Sequence, residues 1–167
     1  MSKRVDQGNH IMMMKKGQPF IAVVGAGKCS KKMKDLAEAV GKAIAGRGGV
    51  LICGGLGGVM EGAAKGAKSK KGFTIGILPG DSKADANEYI DLAIPTGIGD
   101  ARNLAVIKTA DAVVALPGKY GTLSEMAFCL KLEKPMVSLS AWNISEKVER
   151  FEDPVKAVER IFQLAGK

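Results

Sequence analysis

Short, uniformly apolar runs followed by glycine turns and helical segments set the architecture of this chain. Residues 20–24, 50–53, 73–78, 111–116 and 135–139 are apolar almost throughout, without polar alternation. A strand of that kind must be covered on both faces, which is the condition of a parallel sheet between helices. After the first run, Met33, Leu36, Ala37, Val40 and Ile44 recur at helical spacing until Gly46, Gly48 and Gly49 stop the pattern. A small-residue helix is expected from Val59 to about Lys70. Another carries Arg102, Leu104 and Ile107, and a fourth starts at Thr122. Asp153-Pro154 opens the last helix as N-cap and first helical residue, with Val155, Val158, Ile161 and Phe162 on its buried face. A short strand is expected near residues 91–94, and 135–139 reads as the final strand. The alternation predicts an α/β fold of three layers around a mainly parallel, doubly wound sheet.

The 167 residues suit a single domain over 19–167, preceded by a loose tail over 1–18. That tail holds His10, the sole histidine, so a histidine base is not expected in any mechanism. No apolar run approaches the ~20 residues of a membrane span, and 11–14 is too short for a secretory signal, so the expected location is cytoplasmic. Cys29, Cys53 and Cys129 are widely spaced, and no C-x-x-C occurs, which predicts neither a disulfide framework nor a metal site. Only Cys29, in the first glycine loop, is placed for a functional role. The net charge of +8 suits an anionic partner. Aromatic residues make up only 5% of the chain, and Lys68-Ser-Lys-Lys71 reads as a solvated turn, so a small anionic ligand is favoured over nucleic acid.

Open parallel sheets bind ligands outside the carboxyl ends of their strands. Three glycine loops fall there: 25–29, 54–60 and 117–122. In the first, Gly25, Gly27 and Lys28 suit contact with a mononucleotide. It is not a dinucleotide fingerprint, because Ser30 stands at the third glycine and no acidic residue ends the second strand. No G-x-x-x-x-G-K-[ST] motif is present either. In the second, Gly54, Gly55, Gly57 and Gly58 precede Val59 and Met60 and allow backbone to approach phosphate or ribose. The third, Pro117-Gly118-Lys119-Tyr120-Gly121-Thr122, leads into a helix whose N-terminus favours an anion. Arg102 offers a planar fork for phosphate. Glu125 has two readings, a capping box with Thr122 or a carboxylate of the site.

Together these residues resemble the LOG-like Rossmann superfamily, which carries an older lysine decarboxylase label. Its motifs G-G-x-x-x-x-M, a helical arginine and P-G-G-x-G-T-x-x-E appear as residues 54–60, Arg102 and residues 117–125. The resemblance runs in order from about Phe20 to Leu139 and implies a Rossmann-like fold. Its enzymes are cytokinin riboside 5′-monophosphate phosphoribohydrolases, which would make Arg102 and Glu125 catalytic in releasing free base and ribose 5-phosphate. Two departures stand out. The enzymes have Arg-Lys where this chain has Arg102-Asn103, and Lys119 replaces a motif glycine. Residues 93–103 and 75–80 look more like the branch of molybdenum cofactor carrier proteins. The resemblance therefore implies binding of a phosphorylated, nucleotide-like small molecule, either molybdenum cofactor or a nucleoside monophosphate. No cofactor is expected for chemistry and no metal site is expected, and the lysine decarboxylase label is set aside because the chain shows no pyridoxal-phosphate site. The resemblance also implies a homodimer or homotetramer, with Asn103 among the binding residues.

Overall fold

The computed structural model describes residues 14–166. Over that span the elements are β1 (Phe20–Val24), α1 (Lys31–Gly46), β2 (Val50–Cys53), α2 (Val59–Ser69), β3 (Thr74–Leu78), β4 (Leu92–Pro95), α3 (Arg102–Thr109), β5 (Ala112–Ala115), α4 (Tyr120–Lys131), β6 (Met136–Ser138), β7 (Glu149–Arg150) and α5 (Pro154–Ala165). The seven strands form one sheet in the order β4-β3-β2-β1-β5-β6-β7. Every pairing is parallel.

Alternate residues of the central strands feed two separate cores. Ile21, Val23, Leu51 and Val114 pack with α1, α2 and α5 on one face. Ala22, Val24, Ile52 and Val113 pack with α3 and α4 on the other. Both faces of β1, β2 and β5 are thus dry, which is why their sequences lack alternation. The chain leaves β1 through β2 and β3 to β4, then returns to lay β5 against the other side of β1, in register from Ile21 with Ala112. The strand order reverses between β1 and β5, and a crevice opens at such a reversal.

Local chemistry fixes the helix ends. Ser30 caps α1, accepting from the Met33 N–H at 3.2 Å. Asp153 caps α5, accepting from Val155 at 2.8 Å and Lys156 at 3.1 Å, with Pro154 in the first turn. Gly62 and Gly66 bring α2 against the α1 backbone rather than against the sheet: a Cβ at either would press on a carbonyl oxygen, of Lys34 or of Glu38. The basic turn at 68–71 is pinned at the amino end of β3, where Lys68 pairs with Asp91 at 2.7 Å. That is the rim opposite the glycine loops.

The structure departs from the sequence reading at three places. Helix α4 begins at Tyr120, two residues before the expected Thr122, with Lys119 as N-cap. Strand β6 is not the last. Glu149–Arg150 adds a seventh, pairing only with Val137 and Ser138, too short for a periodic signal. Of the expected loose tail, residues 1–13, including His10, lie outside the described residues. Residues 15–18 form a turn, fastened by Gln18 Nε2 donating to the Gly48 carbonyl at 2.8 Å.

Gly58 opens α2 at φ 62°, and a Cβ there would strike the Ala26 carbonyl oxygen. Gly58→Ala combines left-handed backbone with that clash. It should lower unfolding free energy by about 1–3 kcal/mol, read from urea denaturation.

Candidate functional site

Three loops at the carboxyl ends of β1, β2 and β5 are joined through the backbone of one residue. The Ala26 N–H donates to the Pro117 carbonyl at 3.0 Å, and the Ala26 carbonyl accepts from the Val59 N–H at 2.9 Å. The loops enclose a cavity of about 210 Å³. Gly25, Ala26, Gly27 and Gly54 form its glycine side, Met60 and Leu56 its apolar side, and Asp100, Arg102, Asn103, Gly121, Thr122 and Glu125 its polar side. A larger hollow of about 500 Å³, between α1 and α5, is lined by Lys42, Arg47, Lys70 and mainly small apolar residues. It contains none of the buried polar side chains, and the loop residues above do not reach it.

Arg102 and Glu125 are the two charged-type side chains buried at the cavity, 7% and 8% exposed. Arg102 is the first residue of α3, and one guanidinium N–H donates to the Ile77 carbonyl of β3 at 2.6 Å. Its Nε is buried without a partner. Gly54 makes room for the group: a Cβ there would collide with the guanidinium and lie 2.6 Å from the Met60 sulfur. Burial pulls the Arg102 pKa down, and the charge of Glu125 opposes the shift. Arginine remains a cation under such conditions. No ion pair joins Arg102 to Glu125 among the described residues.

Glu125 lies well inside α4. Because the helix starts at Tyr120, Thr122 sits in its first turn and cannot be the N-cap, so the capping box is not formed. The Glu125 carboxyl lines the cavity instead. Burial pushes its pKa up to about 8, only partly offset by Arg102. At neutral pH the group is mainly the neutral acid, able to donate one O–H and accept at its carbonyl oxygen.

The N-terminus of α4 has no side-chain cap and no acidic residue in its first turn. The leading amides of a helix have no intrahelical acceptor, so Gly121 and Thr122 present N–H groups and a positive dipole end at the cavity. Asn103 braces this turn: its Nδ2 donates to Ser124 Oγ at 3.1 Å and approaches the Gly121 carbonyl at 3.5 Å.

Of the residues expected at the site, Gly25, Gly27, Gly54, Met60, Arg102, Asn103, Gly121, Thr122 and Glu125 line the cavity. Gly55, Gly57, Gly58, Val59, Pro117 and Gly118 shape the surrounding loops without lining it, while Lys28, Lys119 and Tyr120 are exposed on the rim. Cys29 packs half-buried against the core, away from the cavity, and burial raises its thiol pKa. Val23, Val24, Ala26, Leu56 and Asp100 line the cavity although sequence reasoning did not select them. Asp100 was within reach of that reasoning, as the acid two residues before Arg102. Groups of three or more metal-ligating side chains are absent among the described residues.

The model of the SLOG cluster4 family matches residues 18–164. The chain belongs to that family. Its fold is Rossmann-like, shared with a molybdenum cofactor binding protein of Rippkaea orientalis at a TM-score of 0.83 and 34% identity, over 89% of this chain and 98% of that one. The molybdenum cofactor carrier protein of Chlamydomonas reinhardtii matches with a TM-score of 0.78 and 34% identity, over 90% and 99% of the two chains. A cytokinin riboside 5′-monophosphate phosphoribohydrolase of Mycobacterium tuberculosis is 33% identical over 66% of this chain, and the match spans 64% of that enzyme. Among the described residues, no helix is long and apolar enough to cross a membrane.

The raised pKa of Glu125 makes stability depend on pH. The unfolded carboxyl releases its proton near its ordinary value of 4.5 and the folded one near 8, so between these limits the folded state holds the extra proton. Stability then falls as pH rises. Relative to Glu125→Gln, which cannot titrate, the wild type should lose up to about 1.4 kcal/mol per pH unit across this window and level off above it. Paired urea titrations at several pH values measure the difference.

Proposed function

We propose that this cavity binds a phosphorylated, nucleotide-like small molecule, and that the protein is a molybdenum cofactor carrier-like member of its family. The observation that carries the reading is Arg102, a buried cation with an unpaired Nε at the wall of a cavity that the uncapped N-terminus of α4 also faces. A dianionic phosphate satisfies both. The helix amides and dipole hold one side of it, and the guanidinium donates from the other. The glycines of the β1 and β2 loops let the ligand pass close to backbone, and Lys119 adds charge at the rim. Neutral Glu125 donates its proton to a ligand acceptor, a binding role that does not require an ionised carboxylate. Likeness to the two molybdenum cofactor proteins favours that cofactor as cargo. The exposed Leu92, Ile94 and Ile98 at the β4 edge support a homo-oligomer.

A phosphoribohydrolase is the second reading, favoured by Glu125 and Arg102 sharing one cavity and by the similarity to the mycobacterial enzyme. Hydrolysis through an oxocarbenium-like state calls for an ionised carboxylate beside the ribose. The high pKa of Glu125 works against that at neutral pH.

Mass spectrometry and metal analysis of protein incubated with molybdenum cofactor should find phosphorylated pterin and molybdenum retained by the wild type. Arg102→Met should retain at least about tenfold less, since charge-assisted phosphate contacts are lost. Equal retention by both proteins, or none by either, contradicts the carrier reading. Chromatography of AMP reactions should show no adenine release at pH 7. Release that Glu125→Ala abolishes would establish the hydrolase instead.

A further inference from the structure

The only tryptophan of the chain and one of its two tyrosines stand at the rim of the site rather than in the core. Tyr120 is 80% exposed and Trp142 40% exposed. Their rings stack with centroids 6.3 Å apart and planes inclined by 19°. The other tyrosine, Tyr89, packs against a core cluster. Aromatic side chains carry large apolar area, and leaving two of them exposed together beside a cavity marks a contact surface.

The pair is held in place by the same elements that build the cavity. Tyr120 begins α4, and the next residue, Gly121, lines the cavity. Trp142 follows β6 through a tight turn in which the Ala141 N–H donates to Ser138 Oγ at 3.1 Å and Ser140 takes φ 58°. Non-glycine residues adopt that conformation at a cost, so the turn is imposed by its surroundings. The indole N–H then donates to the Lys119 carbonyl at 3.3 Å, fastening the loop to the N-cap of α4.

We infer that Tyr120, backed by Trp142, is a stacking platform for the planar heteroaromatic ring of the ligand. The inference rests on the phosphate-site reading above. At about 210 Å³ the cavity is smaller than the roughly 300–1,000 Å³ of clefts that enclose whole ligands. It takes the phosphate end of a nucleotide-sized molecule, and the ring emerges beside α4, against the open face of Tyr120. Stacking on an aromatic side chain tolerates any flat ring, so the platform selects for the presence of a ring, purine or pterin alike.

Calorimetric titration with AMP, a phosphorylated pterin and ribose 5-phosphate tests this. At least one ring-bearing probe should bind the wild type about tenfold more tightly than ribose 5-phosphate, and should quench the emission of Trp142. Tyr120→Ala should remove that advantage while leaving ribose 5-phosphate affinity unchanged, and Tyr120→Phe should keep it. Tyr120 is exposed, so the substitution leaves the fold intact, which thermal melting verifies. If neither ring-bearing probe outbinds ribose 5-phosphate, or the advantage survives both Tyr120→Ala and Trp142→Ala, the platform is overturned and the phosphate site stands. If ribose 5-phosphate does not bind, or binds Arg102→Met equally well, the phosphate reading fails and the platform with it.

Discussion

The backbone of Ala26 is the joint on which the site depends. Its N–H closes on the loop after β5 and its carbonyl on the first amide of α2. Two hydrogen bonds therefore hold three loops, carried by neighbouring strands, at fixed separation. Buried backbone groups must be paired, and this pairing is made between loops rather than within one. Its consequence reaches α4. With the Pro117 carbonyl held back against Ala26, the chain turns at Gly118 and Lys119 into a helix whose leading amides face the cavity uncapped. The anion-attracting end of α4 follows from how the loops are tied.

Electrostatics at the cavity run against the usual pattern of surface pairs. Arg102 is buried with a single hydrogen bond to protein, and Glu125 is buried without an ion-pair partner. Burying a charge without a partner is costly, and a carboxyl so placed stays protonated. At neutral pH the buried wall of the cavity is therefore positive, from the guanidinium and the helix dipole together, with the Asp100 carboxylate exposed at its edge. An incoming phosphate would supply the missing counter-charge. This asymmetry supports the proposed capture of an anion over chemistry that requires an ionised carboxylate.

Much of this was legible in the sequence because it was written in local patterns. Unbroken apolar strands announced the parallel sheet, and Asp153-Pro154 announced α5. The three glycine loops fell at strand carboxyl ends because only glycine tolerates such contacts as the one between Gly58 and Ala26. The start of α4 was not legible. Thr122-Leu-Ser-Glu125 has the spacing of a capping box, yet the helix begins at Tyr120, with the Lys119 carbonyl fastened by Trp142 from a loop 23 residues away. Tertiary contact overrode the local signal there. Leu56 and Asp100 were missed although each stands beside a selected residue, because a leucine between glycines and an acid before a helix are ordinary by themselves; the fold brings both to the cavity. Strand β7 was missed because a two-residue strand has no period.

The central claim is that one phosphate sits between the N-terminus of α4 and Arg102. A crystal structure of the protein with ribose 5-phosphate tests it most directly. The account predicts phosphate oxygens accepting from the backbone N–H groups of Gly121 and Thr122 and from the Arg102 guanidinium, with the Nε of Arg102 gaining a partner. Phosphate bound elsewhere, such as among Lys42, Arg47 and Lys70 at the opposite end of the sheet, with Arg102 still unpaired, would contradict it.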